Sequence, residues 1–183
     1  FRKLFKKRLR SITMVKFEKI SYEQFEKDYV AIFGDEIEKG CIKNIYDGLR
    51  LPRRSTTGSC GYDFFSPFEF ILEEPNAELI IPTGIRAIMD DDKFLMIAPR
   101  SGLGTKHYMR LANTIGFIDS DYSKSDNEGH IFVKYRLENH NSDSVNVKAG
   151  MAIAQGIFMN YLKTNDDDAD GVRNGGFGST DKK

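Results

Sequence analysis

From Pro52 onward the apolar residues come in short runs, each closed by turn-forming residues, and this pattern limits what the chain can fold into. The runs are Phe64-Phe65, Phe68 to Leu72, Leu79 to Ile81, Ile85 to Met89, Phe94 to Ala98, Ile131 to Leu137, Val145 to Val147 and Met151 to Leu162. Most have the length of strands and are too short for helices. Short strands at regular spacing, with few helices between them, predict an all-β fold, a distorted jelly-roll β-sandwich or barrel. A chain of 183 residues is long enough for one such domain with a sizeable core.

The residues ahead of Pro52 follow another pattern. Ser21-Tyr22-Glu23-Gln24 has the S-x-x-Q form of a capping box, and Phe25, Tyr29 and Ile32-Phe33 follow near helical spacing. This predicts a helix from about Tyr22 to Phe33, with a shorter second helix within 36–47. The expected organisation is a basic, helical N-terminal extension over 1–50, a jelly-roll domain over 51–165 and a flexible C-terminal arm over 166–183. Residues 1–13, FRKLFKKRLRSIT, are basic and partly amphipathic. Three readings compete: a stretch upstream of a start at Met14 with no part in function, a membrane-surface or targeting helix, and a nucleic-acid arm. We favour the first.

Charge and cysteine usage narrow the partners. Lys+Arg 27 balances Asp+Glu 27, so no net field draws the chain to nucleic acid or a membrane. The longest uncharged run, Ala149 to Leu162, falls short of the ~18 apolar residues of a spanning helix. Cys41 and Cys60 form neither a CxxC pair nor a zinc pattern, which fits a reducing, cytoplasmic setting.

Five segments carry residues suited to chemistry. Gly61-Tyr62-Asp63 joins a flexible backbone to a hard oxygen suited to Mg2+ or its waters, although for the tripeptide taken alone a turn before a strand is the better explanation. In Pro99-Arg100-Ser101-Gly102-Leu103-Gly104, Arg and Ser suit phosphate and the glycines permit close backbone approach; the plain alternative is a polar hairpin loop. Asn113 to Tyr122 (NTIGFIDSDY) sets Asp119 after an apolar Phe117-Ile118 pair, where shielding would help it act as a base toward water. A strand period would put Asp121 on the same face, and a hairpin with solvent-facing acids is the alternative. Gln155 interrupts the apolar run Gly150 to Phe158, so its amide is either bonded structurally or placed at a site. Arg173 to Thr180 (RNGGFGST) has the parts of an anion-binding loop with an aromatic lid, against the alternative of a glycine-rich tail. Asp166, Asp168, Asp170 and Gly171 open like a calcium loop, but Phe177 stands where its closing Glu belongs.

Taken in order, from about Leu51 to Thr180, these segments resemble the five motifs of the trimeric dUTPase family. The resemblance implies a jelly-roll subunit, a homotrimer with active sites shared between chains, and Mg2+-dependent cleavage of dUTP to dUMP and pyrophosphate. Such an activity limits uracil incorporation into DNA and supplies dUMP for dTMP synthesis. Asp119 matches the general base whose water attacks the α-phosphorus. Asn113, Gly116, Phe117 and Ile118 lie in the hairpin that reads uracil, and Tyr122 matches the aromatic under the deoxyribose. Arg100, Ser101 and Gly102 match phosphate contacts, Gln155 a residue near the phosphates and the catalytic water, and Asp63 an outer-sphere partner of Mg2+. In the arm, Phe177 matches the aromatic that closes over uracil, Gly178 lies beside it, and Ser179 and Thr180 match phosphate contacts. Arg173 matches a γ-phosphate clamp, although it stands one residue nearer to Gly-Gly-Phe than is usual. Two further departures are the residues inserted at 123–128 and Gly156, where the family often carries a larger apolar residue. Two rivals remain at this stage: a dCTP deaminase of related fold, and a binding or regulatory protein on the same scaffold, with the helical segment and the inserted loop as partner surfaces.

Overall fold

The computed structural model describes residues 14–138 and 144–175. In chain order it runs β1 (Val15–Lys19), α1 (Tyr22–Phe33), α2 (Lys39–Asp47), β2 (Tyr62–Phe65), β3 (Phe70–Leu72), β4 (Glu78–Pro82) and β5 (Ile85–Met89). It continues with β6 (Lys93–Pro99), β7 (Met109–Leu111), β8 (Gly116–Asp119), β9 (Phe132–Leu137), β10 (Val145–Val147) and β11 (Ala152–Asn160). The strands form four antiparallel sheets, ordered β1-β5, β10-β3, β2-β11-β6-β8 and β4-β9-β7. The architecture is the expected antiparallel β fold of jelly-roll type.

Period-two burial builds the main core. Ile85, Ala87 and Met89 point inward from β5, and Leu95 and Ile97 do so from β6. They meet Phe64, Ile81, Val133, Tyr135 and Ile153. Each Ile, Leu, Val, Met or Phe side chain so removed from water contributes roughly 1.5–3 kcal/mol. Gly156 lies on this inner side, where an added Cβ would come 2.8 Å from Phe64 and 2.9 Å from Leu95. Packing therefore accounts for the glycine that departs from the family pattern.

A second, smaller core joins the helices. Ile20, Phe25, Tyr29, Ile42 and Leu49 are buried together, and Phe68 packs against both cores. Helix α1 has its predicted bounds, whereas α2 begins at Lys39. The capping box is half formed. Ser21 Oγ accepts from the Gln24 N–H at 3.2 Å, but the Ser21 N–H donates to Glu128 Oε2 at 2.8 Å instead of to Gln24. The helices also do not simply precede the sheets, because β1 lies ahead of them and pairs with β5. The short apolar run of the sequence reading missed β1 and β7, whose few residues are only partly buried or interrupted by exposed Arg110. Residues 1–13, with the three readings offered for them, lie outside the described residues. No helix among the described residues is long and apolar enough to cross a membrane.

Candidate active site

The outward face of the sheet β2-β11-β6-β8 carries the candidate residues in rows. Antiparallel partners share a face, so Asp63, Gln155 and Ala98 form one row. Ile157, Met96 and Phe117 form the next, and Met159, Phe94 and Asp119 the last. Polar groups thus occupy the two ends, with an apolar band between them. Along β6 the partners of Gln155 and Asp119 are Ala98 and Phe94, a separation of roughly 13 Å at the strand rise.

The Asp119 end adjoins a cavity of about 440 Å³, which Gly116, Ile118 and Ile97 of the sheet's opposite side also line. Asn113, Gly116, Phe117, Ile118, Asp119, Tyr122 and Arg173 all line it, together with Lys134. Its volume and largely apolar wall suit a small planar ligand. A tight turn shapes the rim: Thr114 adopts φ +68°, and its N–H donates to Leu111 O at 2.9 Å. Gly116 keeps the wall close to the sheet, since a Cβ there would come 3.3 Å from Ile97 Cβ.

Asp119 ends its strand, and Ser120–Lys124 form a 3-10 turn. The strand-period expectation for Asp121 therefore fails, because the backbone stops being extended at Asp119. Both carboxylates still meet at one cation. Arg173 Nε donates to Asp121 Oδ1 at 2.7 Å, its Nη2 contacts Asp119 Oδ2, and its guanidinium lies 5.9 Å from the Tyr122 ring centre. The Asp119 side chain is 55% exposed in the single chain, so the shielding expected from Phe117-Ile118 is not supplied within it.

Tyr122 is buried and firmly held. Its hydroxyl donates to His130 O at 2.9 Å and accepts from Asn127 Nδ2 at 3.0 Å. Burial pushes its pKa up, so it stays a neutral phenol.

The opposite end is a polar corner. Asp63 is buried; its Oδ2 accepts from Ser55 Oγ at 2.7 Å, and its Oδ1 pairs with Arg100 Nη1. Gln155 Nε2 donates to Pro99 O at 3.4 Å, a long bond that leaves the amide with capacity for a ligand. Gly61 lies close beside it: an added Cβ would come 2.7 Å from Gln155 Oε1, so the amide would have to move. Ser101 and Gly102 are exposed, and a Cβ at Gly102 would meet nothing. The segment after Arg100 is a π-helical turn, Gly102–Lys106, held inward by buried Leu103, not the hairpin loop of the plain alternative.

Phe177, Gly178, Ser179 and Thr180 lie outside the described residues. The sequence reading missed Ser55, Lys134, Asp28 and His130. Lys134 alternates with buried residues along β9 and was visible as a half-exposed position, whereas nothing local marks Ser55 as a partner of Asp63. Both cysteines are free and exposed.

The dUTPase family model matches residues 47–181. A deoxyuridine 5'-triphosphate nucleotidohydrolase of Lactococcus lactis is 38% identical over 136 residues, 73% of this chain and 89% of the relative. A crystal structure of a dUTPase from Streptococcus mutans superposes with a TM-score of 0.59 at 29% identity, covering 81% of this chain and 98% of that one. The same fold recurs in a dUTPase of phage phi11 of S. aureus, described with a structural Mg(II) ion (TM-score 0.59, 15% identity, 86% of this chain and 97% of that one).

Proposed function

This chain belongs to the dUTPase family, and on that premise we propose that it hydrolyses dUTP to dUMP and pyrophosphate, with Asp119 as the general base. The observation that carries the reading is the cavity walled by Asn113, Gly116, Phe117 and Ile118, with Asp119 at its edge and Tyr122 buried in its wall. In this reading the main chain of the 113–118 turn reads uracil. The Tyr122 ring lies against the deoxyribose and leaves no room for a 2′-hydroxyl. Asp119 takes the proton of a water in line with the α-phosphorus, and pyrophosphate leaves.

A triphosphate needs donors and cations, and these gather at the other end of the face. Arg100, Ser101 and the Gly102 backbone would hold phosphate oxygens, with Gln155 beside the attacked phosphate. A base, its water and the phosphorus in line span only ~6 Å. The roughly 13 Å between the two rows therefore supports a site in which Asp119 of one chain faces Gln155 and Arg100 of another. The apolar surface supports the same conclusion, since Phe117 in the band between the rows is 64% exposed and Met159 in the Asp119 row is 43% exposed. A homotrimer with shared sites satisfies both.

Mg2+ fits this donor set on one condition. Both oxygens of Asp63 already have protein partners, and no group of three or more His, Cys, Asp or Glu among the described residues could cage an ion. Asp63 would therefore hold Mg2+ through bound waters, while the phosphates supply direct ligands. Bound there, the ion would neutralise phosphate charge. Arg173 serves as a γ-phosphate clamp only by leaving Asp119 and Asp121, which also frees the base. Residues 51–165 then carry the chemistry, and the arm over 166–183 brings Phe177, Gly178, Ser179 and Thr180 over the nucleotide. The product dUMP would feed dTMP synthesis in the cytoplasm and keep uracil out of DNA.

The test is pyrophosphate release from dUTP, dTTP, dCTP and UTP with Mg2+, and again with EDTA. Release from dUTP alone, abolished by EDTA, is the expected result. Ammonia release from dCTP, or dUTP binding without turnover, would contradict the proposal.

A further inference from the structure

The helical segment ahead of the family match meets residues 128–130, at the end of the loop after Tyr122, in polar contacts at two points, and both lead to the active-site aromatic. The first is at the start of α1. Glu128 accepts from the Ser21 N–H at 2.8 Å and from Ser21 Oγ at 2.5 Å. The second lies one turn and more along the helix, where Asp28 Oδ2 sits 2.7 Å from His130 Nδ1.

His130 is fully buried between the Phe25 and Phe132 rings. Its Nε2 accepts from the Gly84 N–H at 2.8 Å, so the ring proton must be on Nδ1, and Asp28 is the acceptor for it. The His130 carbonyl in turn accepts from the Tyr122 hydroxyl at 2.9 Å. Asn127 closes the circuit. Its Nδ2 donates to the same hydroxyl at 3.0 Å, while its Oδ1 accepts from Ser125 Oγ and from the Gly129 N–H. Glu128 and Gly129 both adopt positive φ, and a Cβ on Gly129 would lie 2.6 Å from Ser123 Cα. The loop is therefore pressed directly against the turn that carries Tyr122.

We propose that α1 is a positioning element of the active site, with Asp28 and Glu128 holding the 125–130 loop so that Tyr122 keeps the place from which it excludes a 2′-hydroxyl. This inference rests on the sugar-platform reading of Tyr122 given above. Removing the Asp28 acceptor strands the buried Nδ1 proton. The alternative tautomer would satisfy Nδ1 only by leaving the Gly84 N–H without an acceptor. Either way the ring shifts and carries its carbonyl away from the Tyr122 hydroxyl. Small displacements of a positioning group cost rate steeply, so a loss of discrimination of about 10-fold is expected.

The experiment measures the ratio of kcat/KM for dUTP to that for UTP in the full chain, with thermal melts alongside. Tyr122→Ala serves as the reference. Asp28→Leu and Glu128→Ala should each lower the ratio about 10-fold. Asp28→Asn, whose amide oxygen still accepts from Nδ1, should restore it. Should Asp28→Leu fail to fold, Glu128→Ala and Asp28→Asn decide. A ratio that falls in Tyr122→Ala but stays at the wild-type level in Glu128→Ala and in every folded Asp28 variant would overturn the inference alone. An unchanged ratio in Tyr122→Ala would instead overturn the sugar reading of Tyr122, and this inference with it.

Discussion

The two ends of the β2-β11-β6-β8 face are built by different means. The Asp119 end adjoins a cavity whose wall is fixed by buried contacts: Tyr122 on His130, and His130 on Asp28 and Gly84. The Asp63 end is an open corner held by charge, with Arg100 on a buried carboxylate and Ser101 and Gly102 exposed. A cavity suits the uncharged base and sugar, where shape discriminates. An open cationic corner suits phosphates that must enter and leave with their charge. Neither end holds the parts for both tasks, and the apolar row of Ile157, Met96 and Phe117 separates them. On the proposed function, one chain presents two unlike halves of a site rather than one whole.

Replacing Asp119, the proposed base, affects the cavity end most. Asp119→Asn should retain nucleotide binding and lose ~10²–10⁴-fold in turnover, read by steady-state kinetics and calorimetry. Weakened binding with normal kcat would reverse the roles of the two ends. At the corner, Arg100→Ala should instead raise KM for dUTP about 10–100-fold, from the loss of a charged phosphate contact. It should also destabilise the fold by ~1–3 kcal/mol, because the buried Asp63 carboxylate loses its cation. A denaturation midpoint equal to wild type would mean that Asp63 and Arg100 are not coupled. Ser55→Ala should cost about 1 kcal/mol by the same measurement, the worth of one hydrogen bond to Asp63.

Acid should separate the ends more gently. Burial pushes the His130 pKa down, partly opposed by Asp28. A group whose folded pKa is depressed stabilises the fold above its unfolded pKa, near 6.5 for His. That contribution is lost as pH falls through the folded value. The melting temperature should therefore drop modestly below about pH 6.5, and less so in His130→Gln. An identical pH profile in that variant would remove His130 from the account. The Ser21 bonds hold the Glu128 carboxyl below its usual range, so its contribution disappears only at lower pH.

Much of this was legible in the chain, for local reasons. Helix α1 follows from apolar spacing and a capping serine, and most strands follow from runs of the right length. Eight of the thirteen residues lining the cavity lie within one segment, 111–122, which sequence order groups, whereas Ile97, the three residues Phe132 to Lys134 and Arg173 come from elsewhere in the chain. What escaped depends on distant partners. Glu128 takes over half of a capping box more than a hundred residues earlier, and Asp28 orients a histidine that no motif marks. The 3-10 turn after Asp119 escaped because period-two reasoning assumes that the strand continues. The position of Arg173 on two carboxylates is set by tertiary proximity, which spacing does not encode.

The central claim is that the two halves meet only between chains, and complementation tests it most directly. Asp119→Asn and Arg100→Ala chains, each weak alone when assayed at dUTP well below the raised KM, would be co-expressed, and the mixed oligomers purified through distinct tags. In a shared site, Asp119 from the Arg100→Ala chain meets the intact corner of the Asp119→Asn chain. In a cyclic trimer that holds both chain types, one site of the three joins an intact Asp119 to an intact corner, so about a third of the sites should be restored. Activity rising to that level is the predicted result. Mixed oligomers that stay as inactive as either parent would contradict the shared site and place both halves within one chain.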